Sequence, residues 1–181
     1  MGFFDKMKET ASQAREAVKA HKEESAEAKK PLDGCIQWYE VVYKGGLPQY
    51  GMDKTSSIKG SLGMNIMENS FYFKPLITAK SWFADLEIPY DRITKFELIK
   101  RNVGNAEVLL SASSMDAAAL ATLNTMAITF LDSNDEEIYL KMEMLTGISV
   151  QGQAKKCQEM LDILRMHKIL ARINYQQQIL M

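Results

Sequence analysis

Residues 126–144 read MAITFLDSNDEEIYLKMEM, and the fold turns on this stretch. Ile138, Leu140, Met142 and Met144 alternate with Tyr139, Lys141 and Glu143. A period of two sends successive side chains to opposite faces, so this is a half-buried antiparallel strand, apolar on one side and polar on the other. Met126–Leu131 forms its partner. Between them, Asp132-Ser133-Asn134-Asp135 supplies short polar side chains that bond their own backbone and tolerate unusual φ/ψ, which is the chemistry of a hairpin turn.

Working outward, the same period predicts strands at Leu62–Met67, Phe71–Pro75, Trp82–Ile88, Thr94–Lys100 and Glu107–Leu110. Ser111 to Thr125 interrupts the series with small, Ala/Ser-rich sequence that suits a short helix or a loop. Residues 31–59 read as a linker. Ile36 to Tyr43, with Trp38, Tyr39, Val41 and Val42, offers a short strand or buried stretch, and Gly45-Gly46-Leu47-Pro48 followed by Gly51 is turn chemistry. Residues 1–30 are rich in the helix formers Ala, Glu, Lys and Gln. Phe4, Met7, Ala11, Ala14 and Val18 recur at spacings of three and four, making one stripe on a helix that Pro31 and Gly34 end.

Gly152 opens the last segment. Ala154, Cys157, Leu161 and Leu164 form one helical stripe, and Met166, Ile169, Ile173 and Leu180 form a second. Leu161 and Met166 are five residues apart, so on one continuous helix the two stripes face different directions. A helix that only covers its own sheet needs one stripe. The expectation is an extended C-terminal helix whose second stripe, Met166, Ile169, Ile173 and Leu180, meets another copy of the chain.

Ser70-Phe71-Tyr72-Phe73, then Leu86-Glu87-Ile88-Pro89-Tyr90-Asp91-Arg92-Ile93, then Thr94 to Leu98, the Ile128–Leu131 and Ile138–Met142 hairpin, and the helix with Met160, Leu161 and Leu164 follow one another in order. In this order they resemble the bacterial pleckstrin-homology-like domains, close in kind to the GRAM group. In that family an Ile-Pro-Tyr-x-x-Ile element ends one strand and starts the next. The resemblance covers about residues 60–170. It implies an α+β fold, a bent antiparallel sheet or partly open barrel closed by a C-terminal amphipathic helix, and binding in place of catalysis. Phosphoinositide-binding members carry Lys/Arg in the first strand–loop–strand unit. Here the turn taken as its counterpart, Glu68-Asn69, has only Lys74 beside it, so no phosphoinositide signature is expected. The predicted organisation is a helix over 1–30, a linker over 31–59 and a pleckstrin-homology-like domain over 60–181.

Composition narrows the function classes. The 181 residues are 46% hydrophobic and 25% charged, enough for a packed core, with a net charge of −1. Residues 1–30 carry seven Lys/Arg against six Asp/Glu, so neither segment has the basic face that sequence-independent nucleic-acid binding requires. Two widely separated cysteines, Cys35 and Cys157, fit a reduced compartment better than a disulfide framework. There is no apolar signal region, no stretch able to span a bilayer, and Lys6 stands where N-myristoylation wants Ser or Thr. The expectation is a cytoplasmic protein, or one peripheral to a membrane.

His21, His167, Cys35 and Cys157 lack the close spacing of a zinc site. Neither a P-loop nor a Gly-x-Ser-x-Gly elbow occurs, and Gly45-Gly46 reads as a plain turn. The sequence therefore predicts no metal, no cofactor and no catalysis. It predicts an interaction module that forms a homo-oligomer and scaffolds through its terminal helices. The alternative is a peripheral membrane protein in which Phe3, Phe4 and Met7, with Lys6 and Lys8 beside them, touch lipid or a partner.

Overall fold

The computed structural model describes residues 3–50, 61–100, 123–145 and 150–176. The chain divides into two compact units, Met1–Lys30 and Pro31–Met181. The first is a single helix, α1 (Phe3–Ala28). The second contains β1 (Gln37–Gly45), β2 (Ser61–Ile66), β3 (Ser70–Pro75), β4 (Leu86–Pro89), β5 (Ile93–Lys100), β6 (Leu123–Leu131), β7 (Glu137–Met144), α2 (Val150–Met166) and the two-residue β8 (Tyr175–Gln176).

Seven antiparallel strands form one sheet that is not closed, in the order β4-β3-β2-β1-β7-β6-β5, with β8 added in parallel to the outer edge of β5. The hairpin at 126–144 is as expected: Phe130 pairs with Ile138 and Met126 with Met142. Its turn is held by the Asp132 side chain, which accepts from the N–H groups of Asn134 and Glu136, while Asp135 takes a positive φ of 62°.

Three expectations are corrected. The short strand offered at Ile36 to Tyr43 does form, as β1, but it is the central nine-residue strand of the sheet, paired with β2 on one side and β7 on the other, and not part of a linker. Its inward residues Tyr39, Val41 and Tyr43 are buried, so the sheet domain begins near Pro31 and not at residue 60. The strand predicted at Trp82–Ile88 starts only at Leu86, because Leu76 to Phe83 winds into turns bonded through the Leu76 and Ala79 carbonyls. The C-terminal helix stops at Met166. The predicted Glu107–Leu110 strand and the Ser111–Thr125 insertion lie outside the described residues, apart from Leu123 and its successors, which open β6.

The core joins all seven antiparallel strands to α2. Leu62, Met64, Ile66, Phe71, Phe73, Ile88, Phe96, Ile128, Leu140 and Met142 meet Cys157, Met160, Leu161 and Leu164 of the helix. Burying each such side chain contributes about 1.5–3 kcal/mol. On the other face of β2, Asn65 is also fully buried. Its carboxamide accepts from the Leu32 N–H at 2.9 Å and reaches the carbonyls of Gly63 and Tyr72, tying the entry segment to β2 and β3.

The corner between β4 and β5 is built from the Ile88-Pro89-Tyr90-Asp91-Arg92-Ile93 element. Pro89 is extended, at φ −60° and ψ 141°, and residues 90–92 form one short 3-10 turn. Tyr90 is fully buried, edge-on to Phe71, and its hydroxyl donates to the Met67 carbonyl at 2.8 Å. Arg92 donates to the carbonyls of Leu131 and Asp132 and to the Asp135 carboxylate, pinning the β6–β7 turn to this corner.

The turn after β1 requires glycine at residue 46. Its φ is +112°, and a Cβ there would meet the Tyr139 carbonyl oxygen at 1.9 Å. Gly46→Ala is expected to destabilise the sheet domain by at least about 2 kcal/mol, from strain plus the displaced β7 backbone. Chemical denaturation checks this. Tyr90→Phe is expected to cost about 1 kcal/mol by stranding the Met67 carbonyl.

Candidate interaction surfaces

The sequence places self-association on Met166, Ile169, Ile173 and Leu180, and the structure separates these residues. Met166 is the last residue of α2 and is 68% exposed. Ile169 and Ile173 are 1% and 0% exposed and belong to the core. Leu180 lies outside the described residues. The exposed second stripe therefore does not exist as drawn.

The cause is the way α2 ends. Lys168 adopts a left-handed conformation at φ 59°, its N–H donates to the Arg165 carbonyl, and the Ile169 N–H donates back to Leu164 at 2.7 Å. This pair of bonds is a Schellman motif. Its accompanying hydrophobic contact, between the residue after the left-handed position and one five or six residues back, is the role Ile169 fills against Leu164. Helical spacing stops there, so residues counted onward as one stripe turn inward. The left-handed position normally belongs to glycine. A lysine in that place gives no signal in the sequence.

Past this turn the chain crosses to the sheet edge. Arg172 donates to the Glu68 carbonyl at 2.8 Å and to Asn69 Oδ1 at 3.0 Å, and lies 5.0 Å from the centre of the Tyr90 ring. Asn174, at a positive φ of 47°, donates its side-chain amide to the Thr94 carbonyl. Tyr175 and Gln176 then pair with Phe96 and Glu97. Segment 167–176 is thus a strap over the open edge of the sheet.

The basis of the phosphoinositide expectation also moves. Glu68-Asn69 is the β2–β3 turn, held by Arg172, and the first strand–loop–strand unit is β1–β2. Lys44 in β1 is paired with Glu143 at 3.3 Å, and residues 51–60 of that loop lie outside the described residues. The described part of this end of the sheet is aromatic: Tyr43, Tyr50, Trp82 and Phe83 pack with ring centroids 4.8–6.2 Å apart. The Tyr43 hydroxyl accepts from the Leu47 N–H and that of Tyr50 from the Ala84 N–H, so this group fastens two loops to one another.

Burial or hydrogen bonding favours the neutral form of Cys157 and of several tyrosines in the sheet domain. Burial pushes the Cys157 thiol up to about 12 and the Tyr39 phenol, likewise, to about 12. Tyr72 is raised to about 12 by its hydrogen bond to Asp85, at 2.6 Å. A thiol shifted in that direction is a packing group and a poor nucleophile. His21 and His167 are exposed and lie in different units. Among the described residues no three His, Cys, Asp or Glu side chains are grouped to hold a metal, and no helix is long and apolar enough to cross a membrane.

Phe3, Phe4 and Met7 fall in the first two turns of α1, and their side chains lie outside the described residues. From residue 14 to residue 24 every side chain of α1 is exposed, Val18 at 68%. The lower stripe of this helix, Ala14 and Val18, is thus open.

No protein-family model and no curated protein matches the chain. Among solved structures it is similar to the hSac2 domain from the human phosphoinositide phosphatase Sac2, at 6% identity over all of this chain and 93% of that one, with a TM-score of 0.46. A likeness of that degree carries neither fold nor activity across.

Two outcomes follow from the titratable groups. In the native protein a thiol reagent at mildly alkaline pH is expected to label half-buried Cys35 and to reach Cys157 only on unfolding. Labelling of both at equal rates would contradict the burial. Tyr39 keeps its proton in the fold up to about pH 12, whereas unfolded tyrosine ionises near 10. Its contribution to stability is complete below about pH 10 and is lost as pH rises toward 12, so a denaturation midpoint should fall across that window.

Proposed function

We propose that the chain is a non-catalytic, pleckstrin-homology-like interaction module that self-associates and scaffolds through a terminal helix. A bent, open antiparallel sheet with a C-terminal helix in its core is the architecture implied by the resemblance of residues 60–170. The Ile88–Ile93 element that carries that resemblance forms the short 3-10 corner joining β4 to β5. Neutral, buried Cys157 and separated histidines favour binding over catalysis.

One observation carries the reading. α1 is a 26-residue helix forming a compact unit of its own, with Ala14 and Val18 of its apolar stripe exposed. In proteins a helix gains most of its stability by packing an amphipathic face, so an exposed apolar stripe is a surface left for another element to bury. The contact surface therefore moves from the C-terminal residues to α1. Of the C-terminal set Met166 alone stays outward among the described residues, and one methionine offers little area.

Sedimentation of the full chain tests the proposal. A mass that rises with concentration above 20.5 kDa is expected, and Met166→Glu should leave that rise unchanged. Full-length protein that stays monomeric and pellets with anionic vesicles would replace this reading with the peripheral-membrane one, through Phe3, Phe4 and Met7.

A further inference from the structure

The apolar stripe of α1 is accompanied by a second pattern. Lys8-Glu9, Arg15-Glu16 and Lys22-Glu23 repeat a base–acid pair every seven residues, and Lys29 continues the basic row. The first two pairs directly follow the stripe residues Met7 and Ala14, and the third follows His21, seven residues on. Set in a heptad, Phe4, Ala11, Val18 and Ser25 occupy the a positions and Met7, Ala14, His21 and Ala28 the d positions; Ala28 is already buried within the single chain, so the open part of the seam ends before it. Lys8, Arg15, Lys22 and Lys29 then fall at e, Glu9, Glu16 and Glu23 at f, and Phe3, Thr10, Ala17 and Glu24 at g.

The strictness of the period separates the candidate occupants. A straight α-helix drifts by about 20° per heptad against a seven-residue repeat. A helix lying on lipid, or on a flat protein surface, wants a period of 3.6. A seam that keeps seven over three repeats is the pattern that stays in register against another helix in a left-handed supercoil. The acidic f row also works against an anionic surface.

The charges then choose the partner and its direction. In an antiparallel pair of identical helices e faces e, which would set Arg15, Lys22 and their fellows against bases. In a parallel pair e faces g of the other copy: Arg15 opposite Thr10, Lys22 opposite Ala17 and Lys29 opposite Glu24. No like charges then meet, and one opposite pair does. His21, a polar residue on the seam, faces its own copy only when the two chains are in register, which is the established use of such a residue. The alanines let the axes approach closely but bury little area, so association should depend on concentration.

Resting on the self-associating module proposed above, we infer that α1 forms a parallel, in-register two-stranded coiled coil with α1 of a second copy, through Ala14, Val18 and His21. Three measurements on the full chain test it. Wild-type mass should approach twice 20.5 kDa as concentration rises. Ala14→Glu with Val18→Glu, which keeps good helix formers, should hold the mass at 20.5 kDa with an unchanged near-ultraviolet circular dichroism spectrum from the sheet domain. Ser25→Cys with Cys35→Ser should form a covalent dimer under mild oxidation, because an antiparallel pair would hold the two sites far apart. A dimer that survives the double glutamate variant overturns the coiled coil but leaves the self-associating module standing. A dimer without the Ser25→Cys cross-link overturns the parallel arrangement. A wild type that stays at 20.5 kDa removes both readings, and pelleting with anionic vesicles would then identify lipid as the occupant.

Discussion

An open sheet has two ends, and this domain depends on how they are brought round. The corner at Pro89–Ile93 does most of it. Fully buried Tyr90 anchors the turn to the end of β2 through the Met67 carbonyl, and Arg92 reaches the far hairpin. Between them, β4 and β5 cannot swing apart without breaking bonds to two other parts of the sheet. Arg172 lies over the Tyr90 ring and bonds the β2–β3 turn, so the chain's last described segment is fixed at the same place. Remove the tyrosine and three elements lose one shared support.

That geometry explains why α2 is short. The helix has to cover the core and then deliver the chain to the free edge of β5, where Tyr175 and Gln176 pair. A helix continued past Met166 would carry Ile169 and Ile173 away from the opening. The left-handed turn at Lys168 reverses the path within one residue and returns both isoleucines to the core. What looked like surplus apolar surface is consumed inside the molecule, and α1 is left as the element with an open stripe.

Much of this was legible in the sequence where alternation is clean and turn residues are specific. The 126–144 hairpin is one such place, because Asp132 and Asn134 announce the turn and Ile138 to Met144 fix the register. The Ile88–Ile93 corner is another. β1 was obscured because Val41, Val42 and Tyr43 are all buried, so a central strand covered on both faces shows no alternation. Trp82 and Phe83 have strand-like composition yet lie in turns, since their rings pack with Tyr43 and Tyr50 from a distant part of the chain. The C-terminal surface was misplaced for the reason given by Lys168: the reversal rests on a backbone angle that glycine would have advertised and lysine does not.

The position of β1 sets the order in which the molecule can be completed. It emerges from synthesis before any other strand, yet it pairs with the last of the seven antiparallel strands, Tyr43 opposite Met142. Roughly a hundred residues separate the two, so at ordinary elongation rates β1 waits about 5–20 s for its second neighbour. Through that interval β2 alone pairs with it, and the β7 side of a strongly apolar strand stays unpaired. The strand at the centre of the sheet thus waits longest for its second neighbour, so a nascent chain is most exposed to mispairing just where the mature domain is deeply buried.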